Sequence, residues 1–144
     1  MGRKATVVGV TTEIADQLIA RAVEAKRQAA VPYSGFRVGA ALLAGDGSIN
    51  TGCNVESSSY GLTLCAERVA LGKAISEGKR DFVAIAIVTD SEELCPPCGA
   101  CRQLLWDYAP DLEIILATPS GARKHYRLRE LFPEAFDDHF LGDK

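Results

Sequence analysis

The chain has no apolar run approaching the ~20 residues that a helical membrane span needs. It has no surplus of positive charge either. Sixteen Lys+Arg stand against nineteen Asp+Glu, a net of −3, whereas a polynucleotide partner calls for a basic surface. Arg3-Lys4 followed by Ala5 to Val10 is too short and too interrupted for a secretory signal. Met1 to Thr6 fits the loose N-myristoylation pattern, which recurs by chance, and nothing else in the chain reads as a membrane anchor. Repeats, low-complexity tracts and linkers are absent, so the 144 residues read as a single domain over 1–144. Histidine is scarce at two residues, and the five cysteines are an odd number. That count, without a secretory signal, argues against a disulfide framework. It fits reduced thiols in the cytoplasm, available to a metal.

What is present alternates between helical and extended patterns. Thr12 to Ala30 reads as a helix with Ile14, Leu18, Ala22, Ala25 and Ala29 on one stripe and charges elsewhere, stopped by Pro32. Arg37 to Ala44 and Ser48 to Val55 read as strands around Gly45-Asp46-Gly47, a hairpin signal. In the second strand Ile49, Thr51, Cys53 and Val55 share one face, which makes Cys53 a small buried hydrophobe. A helix is expected from near Cys65 to Gly78 and another from Gly99 to Tyr108. Phe82 to Thr89 and Leu112 to Ala117 are apolar enough for covered strands, Lys124 to Arg127 suits an edge strand, and Leu128 to Leu131 a helical turn. This order implies a three-layer α/β/α sandwich around a mixed, about five-stranded sheet. The strand order is not readable from the pattern.

Four cysteines fall at two predicted helix starts, within Cys65-Ala66-Glu67-Arg68 and Cys95-Pro96-Pro97-Cys98-Gly99-Ala100-Cys101-Arg102-Gln103. A helix N-terminus favours negative charge and so the thiolate that metals require. Each helix follows a strand, so both N-termini can face the same end of the sheet. Three thiolates leave one position of tetrahedral zinc open, the mark of a catalytic rather than a structural site. Glu67 supplies a carboxylate able to accept and return the proton of a zinc-activated water. Cys-Ala-Glu followed by Pro97-Cys98-x-x-Cys101, thirty residues after Glu67, matches the three-cysteine form of the zinc-deaminase signature.

The flanking residues carry a resemblance. Tyr33-Ser34-Gly35-Phe36-Arg37-Val38-Gly39-Ala40-Ala41-Leu42, Cys53-Asn54-Val55-Glu56, Ser59-Tyr60-Gly61-Leu62, Pro97 to Gln103 and Leu131 to Phe136 resemble the cytidine deaminases of nucleoside salvage. The match is to their short, homotetrameric, three-cysteine branch. The resemblance implies one Zn²⁺ per chain on Cys65, Cys98 and Cys101, with Glu67 as proton shuttle. It implies that zinc-bound hydroxide attacks carbon 4 of cytosine, turning cytidine and 2′-deoxycytidine into uridine and 2′-deoxyuridine. Phe36 then contacts the nucleoside, Asn54 and Glu56 hold the ribose, and the Ala66 backbone meets the base. Tyr60-like and Phe136-like positions lie near a neighbouring subunit's site in relatives. Zn²⁺ with three thiolates sums to −1, and Arg68, beside Glu67, can offset this by donating to the sulfurs. The partners implied are a small pyrimidine nucleoside and further copies of the chain, with no nucleic acid and no membrane.

Other readings compete. Cys95 could join the three others in a closed, structural four-cysteine zinc module, or pair with Cys98 as a redox couple. The two prolines between 95 and 98 favour an extended path of ~3.1 Å per residue, longer than a disulfide's Cα separation of about 7 Å at most. Both readings leave Glu67 without a role. Within enzymes, a deaminase of modified cytosine nucleosides or of a nucleoside antibiotic is the rival. Ser57-Ser58, where many relatives have Asn-Ala, and the tail Asp137 to Leu141 depart from the family pattern. His125 and His139 fall outside the motif, and the basic run Arg123 to Arg129 reads as a solvated edge or subunit contact.

Overall fold

The computed structural model describes residues 10–142, so the acylation pattern at Met1 to Thr6 lies outside the described residues. Thr11 caps the first helix, α1 (Thr12–Lys26), its hydroxyl accepting from Ile14 N at 3.1 Å. The helix ends four residues earlier than its stripe of small residues suggests. The chain leaves it because Ala30 pairs with Val55, donating to Asn54 O at 3.0 Å and accepting from Glu56 N at 2.9 Å. Nor are all its charges solvated: Lys26 is buried, and its ammonium meets Asp90 at 3.0 Å and Thr89 O at 3.2 Å.

Strands β1 (Val38–Ala44) and β2 (Ile49–Cys53) form the hairpin. Gly47 takes the positive φ of its turn (+90°), and Asp46 accepts from Ser48 N at 3.0 Å. Helix α2 spans Ala66–Ser76, β3 Phe82–Thr89, α3 Gly99–Tyr108, β4 Glu113–Ala117, β5 Arg123–Arg127 and α4 Leu128–Leu131. The sheet order is β2-β1-β3-β4-β5, with only β3 and β4 parallel. The fold is therefore a mixed five-stranded sheet with helices on both faces, three layers in all. One core packs Leu18 and Ala22 of α1 on Ala41, Ala86 and Ile115. The other packs Ala70 and Leu71 of α2 and Leu105 of α3 on Leu42, Ile85, Ile87 and Ile114. Successive side chains of a strand point to opposite faces, so the alternation along β1, β3 and β4 divides the two cores. Strands β2 and β5 are the edges, and the exposed basic side chains of β5 blunt its own.

Two consequences position the site. Strands β2 and β3 both run antiparallel to β1, with Gly39 facing Cys53 on one side and Val88 on the other. Their C-terminal ends thus lie at one end of the sheet, and the helices that follow them, α2 and α3, begin there. The second concerns β2, whose buried face carries Asn50 and Gly52, and Asn54 just beyond is buried as well, while Cys53 is only half-buried. This corrects the expectation of a buried Cys53. The reason is Gly52: a Cβ there would lie 2.5 Å from Ala66 O and 2.6 Å from Ala70 N. Without one, the first turns of α2 press directly onto the polar face of β2.

Gly52→Ala is therefore expected to shift the start of α2, since backbone atoms cannot give way as a side-chain tip can. Overpacking of this kind costs about 1–3 kcal/mol. A thermal melt should show the midpoint lowered by several degrees, and metal analysis should show weakened zinc retention. An unchanged melt and zinc content would mean that α2 does not need this close approach.

Candidate active site

Between β2 and α2 the chain makes a small hairpin of its own. Val55 and Leu64 exchange backbone hydrogen bonds of 2.9 and 2.8 Å, which sets Asn54 beside Cys65. Cys65 and Cys98 are the N-caps of α2 and α3, and Cys101 lies buried within the first turn of α3. Cys65 Sγ and Cys98 Sγ are 3.8 Å apart, Cys98 Sγ and Cys101 Sγ 3.5 Å, and all three lie within 4.8 Å of one another. Zn–S bonds of about 2.3 Å in a tetrahedron place sulfurs roughly 3.8 Å apart, so the trio fits one zinc ion. Cys95 is outside this group, and its Sγ donates to Pro96 O at 3.9 Å. The four-cysteine cluster is not formed, and all five thiols are free.

Arg68 folds back from the first turn of α2. Its Nη2 donates to Cys65 Sγ at 3.4 Å and to Thr63 O at 3.2 Å. Hydrogen bonding from Cys101, together with the bonds from Arg68 and Cys98, brings the Cys65 thiol down to about 5 against the opposing effect of burial. The Cys101 thiol moves up, because it hydrogen-bonds the Cys65 sulfur, is buried, and faces the negative charges of Glu67 and Cys65. Arg68 thus stabilises the negative charge that a cation takes over. Arg102 braces the other ligand loop, donating to Pro97 O at 2.8 Å and Leu131 O at 2.6 Å.

Glu67 is 5% exposed. Burial pushes its carboxyl up to about 7, and the negative Cys65 adds to this. A group poised there can both take and give a proton at neutral pH. It lines a cavity of about 170 Å³ with Cys65, Ala66, Cys98, Asn54, Val38 and Thr63, among others, and the Cys95 thiol forms part of the same wall. Thr63 also borders a second concavity of about 410 Å³, lined by Tyr33, Ser34, Glu56, Ser57 and Tyr60. The base-sized pocket and the wider one therefore share a rim.

The structure adds a task for the pair expected at the ribose. Asn54 accepts from Val38 N at 2.9 Å and donates to Phe36 O at 2.9 Å. Glu56 accepts from Tyr33 N at 3.0 Å, Ser34 N at 3.1 Å and the Ser34 hydroxyl. Both side chains hold the 33–38 segment that carries Phe36, whose ring stays partly exposed. Each keeps unused capacity, since an amide offers four hydrogen bonds and a carboxylate about four acceptor sites. Asp90 fixes the same segment from the far side through a bidentate contact to Arg37, with both bonds at 3.1 Å. That contact links residues 53 apart in sequence, and no local motif announces it. Tyr60 is exposed on the wider concavity, facing Tyr33 at 6.3 Å between ring centroids. Phe136 is exposed elsewhere, on a concavity along the Gln103–Trp106–Asp107 face of α3. His125 pairs with Glu113 at 2.7 Å, away from the thiols.

A three-cysteine group that fits one zinc ion, beside a buried carboxyl at one end of such a sheet, matches the signature of the zinc deaminases. Residues 12–116 match the cytidine and deoxycytidylate deaminase zinc-binding region. The chain is 50% identical over 127 residues to a cytidine deaminase of Halalkalibacterium halodurans, covering 88% of this chain and 96% of that one. It is 47% identical over 128 residues to a cytidine deaminase of Sporosarcina psychrophila, covering 88% and 94%. A solved cytidine deaminase from Burkholderia pseudomallei superposes with a TM-score of 0.83 at 43% identity, covering 88% of this chain and all of that one. The chain belongs to the cytidine deaminase family. Among the described residues no helix is long and apolar enough to cross a membrane.

Proposed function

We propose that the protein deaminates cytidine and 2′-deoxycytidine to uridine and 2′-deoxyuridine in pyrimidine salvage, as a single-domain cytoplasmic enzyme that assembles as a homotetramer. The observation that carries this reading is the buried Glu67 carboxyl beside the thiolate trio, on a cavity sized for a base. Cys65, Cys98 and Cys101 would hold zinc, which when bound supplies the Lewis acidity that makes water nucleophilic at neutral pH. Glu67 takes a proton from the attacking water and passes it to ring nitrogen 3 as carbon 4 becomes tetrahedral. It then takes the second water proton, from the hydroxyl now on carbon 4, and delivers it to the departing amine, so that nucleoside and water become the uracil nucleoside and ammonia. The Ala66 N–H, at the first turn of α2, is free of an intrahelical acceptor and suits a base carbonyl. Asn54 and Glu56 would use their remaining capacity on the ribose, while Phe36 covers the nucleoside. Tyr60 and Phe136 would complete a site shared between copies. A composition of net −3 supplies no basic surface for a polynucleotide.

One purified sample tests both substrate and assembly. An ultraviolet assay should show cytidine and deoxycytidine consumed far faster than free cytosine, or cytosine within RNA or DNA. Light scattering should give about four times 15.4 kDa. Efficient turnover of free cytosine, or preference for a modified or antibiotic nucleoside, would overturn the substrate; an active monomer would overturn the shared site.

A further inference from the structure

We infer that Asp137 is a positioning residue for the reaction, clamping the C-terminal segment to α3 so that the Phe136 ring is held ready to close a neighbouring copy's site. This rests on the closure reading of Phe136 given above. Phe136 is 54% exposed, and its aromatic contact is a stacked one with Phe140, at 5.6 Å between centroids. The backbone on either side is what holds it. Gln103 Nε2 donates to Phe136 O at 2.8 Å, and Trp106 Nε1 donates to Asp137 Oδ2 at 3.1 Å. The second carboxylate oxygen accepts from His139 N at 3.0 Å, capping the 3₁₀ turn Asp138–Leu141 that presents Phe140. One side chain thus joins α3, the chain at Phe136 and the turn that stacks upon it.

The anchor is itself fixed. The Trp106 ring lies 5.3 Å from the Arg129 guanidinium and meets Phe132 edge-on at 6.1 Å. The Trp106 N–H, with the His139 amide, also holds the Asp137 carboxyl below its ordinary range, so it is a full acceptor at neutral pH. Around the clamp lies a concavity of about 720 Å³ lined by Phe136, Asp137, Leu141 and the α3 face. That space lets the segment shift once the bond to Trp106 is lost. A closing group that must first be ordered weakens binding by its ordering entropy, whereas a preorganised one does not. The effect belongs in KM rather than in the proton transfers of Glu67.

The test uses zinc-loaded full chain and steady-state kinetics with cytidine. Trp106→Phe keeps the ring and removes only the N–H. Trp106→Phe and Asp137→Ala should each raise KM about three- to tenfold, the range of an ordinary intramolecular hydrogen bond, with kcat within about twofold and zinc content unchanged. The double variant should be no worse than the worse single, because the Trp106–Asp137 bond is lost in both. In a Phe136→Ala background, Asp137→Ala should change KM by less than about twofold. The fluorescence of the single tryptophan should shift in Asp137→Ala. If Phe136→Ala raises KM while Asp137→Ala does not, or if the effects multiply in either pairing, the positioning role is overturned. If Phe136→Ala itself leaves KM unchanged, the closure reading falls first, and this inference with it.

Discussion

Glu67→Gln is expected to lower kcat for cytidine by about 10⁴-fold or more while leaving fold, zinc and assembly intact. Glutamine has nearly the same volume, so a site with 5% exposure can accept it without a cavity or a clash. Burial already pushes this carboxyl up to about 7. Replacing it by a neutral amide therefore removes a group that the surroundings disfavour in its charged form. The melt should be unchanged or slightly raised. What the amide cannot do is accept a proton from water or return it to ring nitrogen 3 and the amine. General acid–base catalysis is worth roughly 10²–10⁴-fold, and one carboxylate serving several transfers belongs at or above the top of that range. The loss should appear in kcat, because the missing interactions are made in the transition state. If Glu67 were only an acid at the positive end of α2, the same change would weaken the helix and spare turnover. A zinc-loaded Glu67→Gln protein within tenfold of the parent would sink the mechanism.

Cys98→Ser is expected to abolish both zinc and activity, and Cys95→Ser neither. Cys98 Sγ stands within 3.8 Å of Cys65 Sγ and 3.5 Å of Cys101 Sγ, so its loss opens the trio in the middle. A serine hydroxyl does not ionise at neutral pH to replace the thiolate. Cys95 is only three residues away in sequence, yet it lies outside the trio and lines the cavity wall, where burial and the charge of Glu67 push its thiol up. Metal analysis after dialysis should therefore give about one zinc per chain for Cys95→Ser and almost none for Cys98→Ser. Loss of zinc from Cys95→Ser would restore the closed four-cysteine reading and remove the open position on which catalysis depends.

Much of this site is legible before any folding is known, because its parts are local. Cys65 and Glu67 share one helix start, and Cys98 and Cys101 another, so spacing alone puts each pair on its turn. The strand Phe82–Thr89 and the helices Gly99–Tyr108 and Leu128–Leu131 fall where their apolar patterns end, since burial on both faces or a following proline marks the limits. Patterns fail where a distant partner overrides them. The first helix stops at Lys26 rather than Ala30 because Ala30 pairs with Val55. The polar face of β2 is the buried one because Gly52 admits the backbone of α2.

The sequence by itself determined the donor set, the carboxylate and the layered α/β class, since these follow from residue type, short-range spacing and periodicity. Only the tertiary structure brought the two helix starts together, with Cys95 outside the trio, because strand order decides which helices share one end of the sheet. It decided as well that Asn54 and Glu56 grip the loop of Phe36, that Asp90, held by Lys26, pins this loop through Arg37, and that Trp106 holds Asp137. Each of these is a hydrogen bond or ion pair between residues 16 to 64 positions apart. Such contacts depend on strand order and on which helix covers which face, and neither leaves a periodic trace along the chain.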